Sequence, residues 1–401
     1  MNYPHKSAAR IVAVLFIAIT TAAILPGADQ KLHPDPDPPQ YIQKALQWLV
    51  TAQYDNGGWG AGMHSSQHIT DPHQVQIDPA TTAFATLALI RSGNGLDYGI
   101  YQKNVRKALM LMLEIVENSS DDDERITNIQ GTQPQVKLGQ NIDASMAAQL
   151  FTRVLPMTEN QPALYNRVAA ALEKCLHKLE RAQNVDGSTA NGGWAGVLQS
   201  AMTTSAFESA KAAGADVDDE VLRRAREYQQ NNIDVKSGGV RTEDAAGISL
   251  YAVSASQKAA APAALEAKNR IDKAKKDGRL EQDAAISKEN LQKAVGSEEE
   301  AEALYDAYRQ NEIALEMLND DSVLAGFGNN GGEEFLSYMM TSESLATTDV
   351  DEWKTWTTKM DDRFRRIQNP DGSWSGHHCI TSPVFSTAAV ILTVMVDTNN
   401  A

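Results

Sequence analysis

Several things are scarce in this chain of 401 residues, and each scarcity narrows what it can be. There are two cysteines, Cys175 and Cys379, too few for a disulfide framework. A single bridge between them stays open in an oxidising compartment. Basic residues are outnumbered, 36 Lys and Arg against 52 Asp and Glu, giving a net charge of −16. That argues against nucleic acid, whose binding needs a basic surface, and against docking on anionic lipid. Aromatic residues make up only 6%. No Gly-rich phosphate loop opens a helix after a strand, and no nucleophile elbow is present.

Long apolar runs are also scarce. Residues 11–25, "IVAVLFIAITTAAIL", follow the positive Lys6 and Arg10 and end at Pro26-Gly27. The run is shorter than the ~18 residues of a membrane helix and has the build of an export signal. Residues 1–28 are therefore expected to be a signal peptide, or a membrane anchor if retained. Residues 29–40, with "HPDPDPPQ", should form an extended Pro-rich linker. The protein is expected to work outside the cytoplasm, in a periplasmic or extracellular setting.

What is present, from residue 41 to 397, is helical periodicity. Ile42, Ala45, Leu46, Leu49 and Val50 make one apolar stripe, and "TTAFATLALI" at 81–90 is apolar nearly all round, as a helix buried on every side must be. This couplet of amphipathic helix, Gly-bearing loop and small-residue helix recurs at 105–117 with 144–154, 163–183 with 201–213, 220–230 with 245–254, 299–318 with 335–345, and 352–368 with 384–396. Six pairs predict a closed ring, an all-α (α/α)6 toroid, because closure removes the apolar end faces of an open stack. Residues 257–297, rich in Ala, Lys and Glu, break the repeat and predict a helical hairpin insertion, with a protein partner as its possible use.

Near each end of the chain the same turn is written: "QYDNGGW" from Gln53 to Trp59 and "QNPDGSW" from Gln368 to Trp374. Gly57 and Gly372 allow positive φ, and the Gln amide is expected to donate to carbonyls at the end of its own helix. Gln183, Gly187 and Trp194 read as a stretched copy, and Val240 as a replacement for Trp in a fourth. These residues resemble the QW repeats of the squalene-hopene cyclase, terpenoid cyclase and protein prenyltransferase superfamily.

The resemblance implies a toroid that binds an apolar or extended ligand at the barrel mouth, with an isoprenoid cyclase or prenyltransferase-like activity if it is an enzyme. A non-catalytic scaffold for protein or glycan is the alternative. Cyclases of this kind use an Asp-rich acid. "DVDD" at 216–219 is in the wrong place for that and reads as a helix cap. Acids expected at the starts of inner helices are Asp78, Asp143, Asp244 beside Glu243, and the pair Glu333-Glu334; sharing one rim, they can raise each other's pKa. Prenyltransferases hold zinc with Asp, Cys and His. Here His64, His68 and His73 lie in the first loop and His377, His378 and Cys379 in the last. Ring closure would bring them together as candidate zinc ligands.

Overall fold

The computed structural model describes residues 38–328 and 330–396. The expected leader and most of the Pro-rich linker lie outside the described residues. The chain divides at residue 33, and the larger unit, Pro34–Ala401, contains every described residue.

Its helices are α1 Gln40–Thr51, α2 Pro79–Arg91, α3 Gln102–Glu117, α4 Gln133–Lys137, α5 Ile142–Val154, α6 Pro162–Ala182, α7 Gly196–Ala212, α8 Asp219–Gln230, α9 Ser249–Lys276, α10 Lys288–Val295, α11 Glu298–Leu318, α12 Asp321–Leu324, α13 Gly332–Thr348, α14 Val350–Ile367 and α15 Pro383–Val394. Among the described residues the only β pairing is two isolated bridges, Met63 with Thr132 and Ile233 with Val240.

Six helices form the inner ring. Each packs on the next in the order α2, α5, α7, α9, α13, α15, and α15 returns to α2. Phe84 and Phe385 meet across that last step with ring centroids 4.9 Å apart. The fold is an all-α toroid, and its first and last repeats are neighbours. α1, α3, α6, α8, α11 and α14 wrap the ring, each burying one stripe. In α1 the stripe is Tyr41, Ile42, Ala45, Leu46 and Leu49.

The inner helices are covered on every side. Segments 79–86, 142–148, 196–204, 250–257, 332–342 and 383–393 contain buried residues only. A lumen wide enough for water would expose the side chains lining it, so these turns fill the barrel with their own side chains. Half-buried residues of the inner helices lie mostly toward their C-terminal ends. There Glu343 holds Arg91 at 2.5 Å and Lys258 at 3.0 Å. Burial pushes the Glu343 carboxyl up, but the two cations outweigh it and hold the pKa down at about 2.

The fourth inner helix starts at Ser249, later than the expected 245. Glu243–Ala245 is a 3-10 turn, and Ala246 (φ 53°) and Gly247 (φ 79°) break the chain before the helix begins. The same helix runs on without interruption to Lys276, carrying Pro262 inside it. The insertion is thus an inner helix prolonged beyond the ring and returned by α10 and the start of α11. Ala267, Ile271, Ala274, Leu280, Leu291, Ala294, Ala301 and Leu304 give it a small core of its own.

In the repeated turns, the side chains divide the work differently from expectation. Gln53 Nε2 donates to Gly57 O (2.8 Å) and to Asn104 O on the next outer helix (3.0 Å). Gln368 does the same to Gly372 O (2.8 Å) and Tyr41 O (2.9 Å), and Gln183 to Gly187 O (3.4 Å) and Val221 O (2.8 Å). The Gln therefore ties its loop to the following repeat, and the Trp closes its own helix: Trp59 Nε1 donates to Leu49 O (2.8 Å) and Trp374 Nε1 to Phe364 O (3.0 Å).

The third copy is a turn of ordinary length, with Thr189 where the others have Trp. Its N–H meets a hydroxyl on the inner helix, Ser200 Oγ at 3.1 Å, as Trp59 N meets Thr82 Oγ1 and Trp374 N meets Thr387 Oγ1, both at 3.0 Å. Trp194 is not part of that turn; it stands 41% exposed. At Val240 the chain forms the bridge with Ile233, which is a different structure.

Candidate functional site at the mouth of the barrel

The N-terminal ends of the inner helices share one rim, and ring closure brings the first and last long loops together there. Gln67 Nε2 donates to Cys379 O, and Thr381 Oγ1 donates to Gln67 O at 2.8 Å. Gln133 of α4 joins them, its Oε1 accepting from Thr381 N at 2.7 Å.

Asp78 and Asp143 form one buried acidic pair. Asp78 caps α2, its Oδ1 accepting from Thr81 N (2.8 Å) and its Oδ2 from Ala61 N (2.7 Å). Asp143 reaches back from α5 to accept from Ala80 N (3.0 Å) and takes a second bond from Gln135 Nε2 (2.6 Å). Burial raises Asp78 to about 6, and burial together with the charge of Asp78 raises Asp143 to about 7. Both oxygens of both acids are already engaged, so this pair fastens the first repeat to the second.

Asp244 is not with them. It is exposed and accepts a hydrogen bond from Tyr228 Oη at 2.9 Å. The acids of "DVDD" are likewise away from the rim: Asp218 caps α8, accepting from Glu220 N and Val221 N.

The second acidic pair opens α13. Glu334 accepts from Tyr251 Oη (2.6 Å) and Phe327 N (3.0 Å) on Oε1, and from Gly331 N (2.8 Å) on Oε2. Glu333 accepts from Ile380 N at 3.3 Å on Oε2, while its Oε1, fully buried, has no hydrogen-bond partner. Burial and then the neighbouring Glu334 raise Glu333 to about 8, so its carboxyl holds a proton at neutral pH. α13 can approach the last loop this closely because a Cβ at Gly331 would lie 2.9 Å from His378 O, and one at Gly332 2.8 Å from Ile380 Cβ.

Cys379, against Glu333, holds φ at 56°, a left-handed conformation that a non-glycine residue adopts at a cost. Burial and Glu333 push its thiol up to about 12. Both cysteines are free.

The histidines do not assemble as zinc ligands. His68 and His377 are exposed, and His378 Nε2 lies 3.8 Å from Glu334 Oε2. His73 Nε2 pairs with Thr51 O at 3.0 Å, on the outer helix. Among the described residues no group of three or more His, Cys, Asp or Glu side chains could hold a metal ion. The residues present do not fit zinc.

Above the Glu333-Glu334 pair sits a group of rings that the sequence reading missed. Trp194, in the loop before α7, and Phe327, in the loop before α13, meet edge to face with centroids 6.0 Å apart. Phe327 and the His378 ring are 5.0 Å apart. Phe327 is 55% exposed. Lys137 Nζ lies 4.7 Å from the centroid of the Trp194 ring. Two large aromatic side chains left in solvent beside buried acids contrast with Trp59 and Trp374, whose rings are fully buried.

Residues 19–134 match the squalene-hopene cyclase C-terminal domain family. This stretch includes α1, α2, α3 and the turn from Gln53 to Trp59. No curated protein matches the chain. Among solved structures, the chain is similar to a substituted form of the type II terpene cyclase MstE from Scytonema in complex with its product merosterolic acid A. Identity there is 14% and the TM-score 0.45, with 88% of this chain and 95% of that one covered. The apo form of MstE is similar at 11% identity and a TM-score of 0.43, covering 88% and 96%.

Proposed function

We propose that this squalene-cyclase-like toroid binds an apolar or extended ligand at the N-terminal mouth of its barrel, on Trp194, Phe327 and His378. The observation that carries the reading is a contrast in exposure. Trp194 and Phe327 are 41% and 55% exposed at the mouth, whereas Phe84, Phe151, Phe207, Tyr251, Phe335, Tyr338 and Phe385 on the inner helices are at most 1% exposed. Ligand sites place aromatic and polar groups together in a concave, reachable place. The mouth has both, and the filled barrel has neither room nor access.

If chemistry takes place, Glu333 is the acid to consider. It keeps its proton at neutral pH, and one of its oxygens is uncommitted. The carboxylates of Asp78 and Asp143 are consumed by backbone and amide donors. The filled lumen favours binding without turnover, since a polyene would have to be enclosed away from water to be cyclised. Export of the protein belongs to the same proposal and rests on residues 1–28.

The test is titration of the full protein with linear isoprenoid alcohols and with oligosaccharides, followed by calorimetry and, where Trp194 is kept, through its indole signal by NMR. Trp194→Ala and Phe327→Ala are expected to weaken binding about five- to tenfold each, the usual worth of one aromatic contact. Unchanged affinity in both variants would place the ligand elsewhere.

A further inference from the structure

The mouth already holds a cation. The Lys137 ammonium, at the end of α4, lies over the Trp194 ring, and among the described residues no oxygen hydrogen-bonds it. A lysine ammonium carries three donors and is strongly hydrated, so an aromatic face in place of oxygen partners is unusual for it. The ammonium sits on Trp194, and the neighbouring rings are inclined rather than stacked, 69° between Trp194 and Phe327 and 53° between Phe327 and His378. Inclined rings are the walls of a cage for a rounded cation; a flat ligand would be served by a single open face. Behind the rings stand Glu333 and Glu334, the acidic side of the mouth.

The geometry points to a binding site for a trimethylammonium group, with the Lys137 side chain as its built-in stand-in. This rests on the reading of the mouth as the ligand site and names the chemistry of the ligand. A quaternary ammonium fits better than a primary amine for a physical reason. The Glu334 oxygens already accept from Tyr251, Phe327 and Gly331, and Glu333 lies fully buried beneath. An N–H cation entering here finds no reachable carboxylate oxygen and keeps its donors on water, so it cannot press closely against the rings. Trimethylammonium has no N–H, and its methyl groups gain by burial against Trp194 and Phe327. Lys137 is held by one cation–π contact and can swing into solvent on its flexible stem, so the ligand competes with a tethered ammonium.

Calorimetric titration of the full chain with tetramethylammonium and with choline tests this. Wild type is expected to bind weakly. Lys137→Gln and Lys137→Ala, which remove the competitor, are expected to bind about three- to tenfold more tightly, the worth of one exchanged cation–π contact. Trp194→Ala should lose binding, and Trp194→Phe should retain part of it; thermal melts establish that each variant is folded. A trimethyl-lysine peptide and phosphocholine vesicles, each offered to Lys137→Gln, distinguish a protein source of the group from a lipid one.

Equal affinity in wild type and both Lys137 variants overturns the stand-in and with it the inference. If no ammonium binds either Lys137 variant but an isoprenoid or an oligosaccharide still moves the Trp194 signal, the ammonium site fails and the mouth reading stands. If neither class of ligand moves that signal, both fail.

Discussion

At the scale of single residues, the mouth is a place where burial makes acids harder to ionise. Glu333, Asp143 and Asp78 sit at about 8, 7 and 6, each raised first by burial. A carboxyl raised above its unfolded value favours the folded state while it is protonated. That contribution is complete below about pH 4, where the unfolded acids also hold their protons, and it is lost as the pH rises through the folded values. The melting temperature of the wild type is therefore expected to fall between pH 6 and pH 9. Glu333→Gln keeps an oxygen for the Ile380 N–H and cannot ionise. Its melting temperature should fall less over the upper part of that range, and parallel melting curves for the two proteins would remove Glu333 as the cause. Glu343, at the other end of the barrel, runs the opposite way: held at about 2 by Lys258 and Arg91 after overcoming its burial, it supports the fold above pH 4.5 and loses that support only as the pH falls toward 2.

At the scale of elements, the QW-like turn is a joint with two fixings. The indole N–H ends its own outer helix, and the Gln amide catches the start of the next one. Three turns share the amide fixing, through Gln53, Gln183 and Gln368, and two share the indole. Gly57, Gly187 and Gly372 hold φ of 96°, 91° and 102°, which brings the loop carbonyl back toward the Gln. Trp374→Phe keeps most of the buried ring but leaves the Phe364 carbonyl without its donor. The expected loss is about 1–3 kcal/mol, the cost of a buried group left unpaired, read from denaturant melts. Trp59→Phe should cost a similar amount through Leu49. A loss near zero in both would mean that the ring's packing, and not its N–H, is what the turn requires.

At the scale of the whole molecule, closure is what gives the mouth its membership. Gln368 bonds Tyr41 O, the Lys44 ammonium bonds Pro370 O at 2.5 Å, and the Tyr41 and Trp374 rings meet at 6.1 Å. These contacts join residues that lie 326 or more positions apart in the chain. Removing residues 350–396 would take away α14 and α15 and uncover the faces of α2 and α13 that they bury. Each large apolar side chain uncovered forfeits roughly 1.5–3 kcal/mol. The truncated chain is expected to lose its cooperative melt and to elute as larger aggregates, measurable by circular dichroism and size-exclusion chromatography. A truncated protein that still melts cooperatively as a monomer would show that the other five pairs are a stable unit without closure.

The helix pairs, the all-α class and the closed ring were legible from the chain alone, because helix period and apolar content are local properties, and six pairs of this kind must hide their end faces. The repeated turns pointed to a toroid of squalene-cyclase type, the family whose C-terminal domain residues 19–134 match, for the same reason: Gln, Gly and Trp at fixed spacing impose one loop geometry. What the chain could not reveal was how those side chains are shared out. The Gln serves the next repeat, Thr189 takes the Trp position, and Trp194 goes to solvent. The site was legible only in part. Asp78 and Asp143 stand at the rim as their helix starts require, yet their oxygens are used up by backbone donors that only packing brings near. Asp244 falls outside because the chain turns at Ala246, and the histidines stay apart because ring closure brings loops together without aligning their side chains. Local periodicity determines which segments are helices and which faces they bury. Which acid keeps a free oxygen, and which rings meet over it, depends on loops from separate repeats, and only the closed tertiary structure decides that.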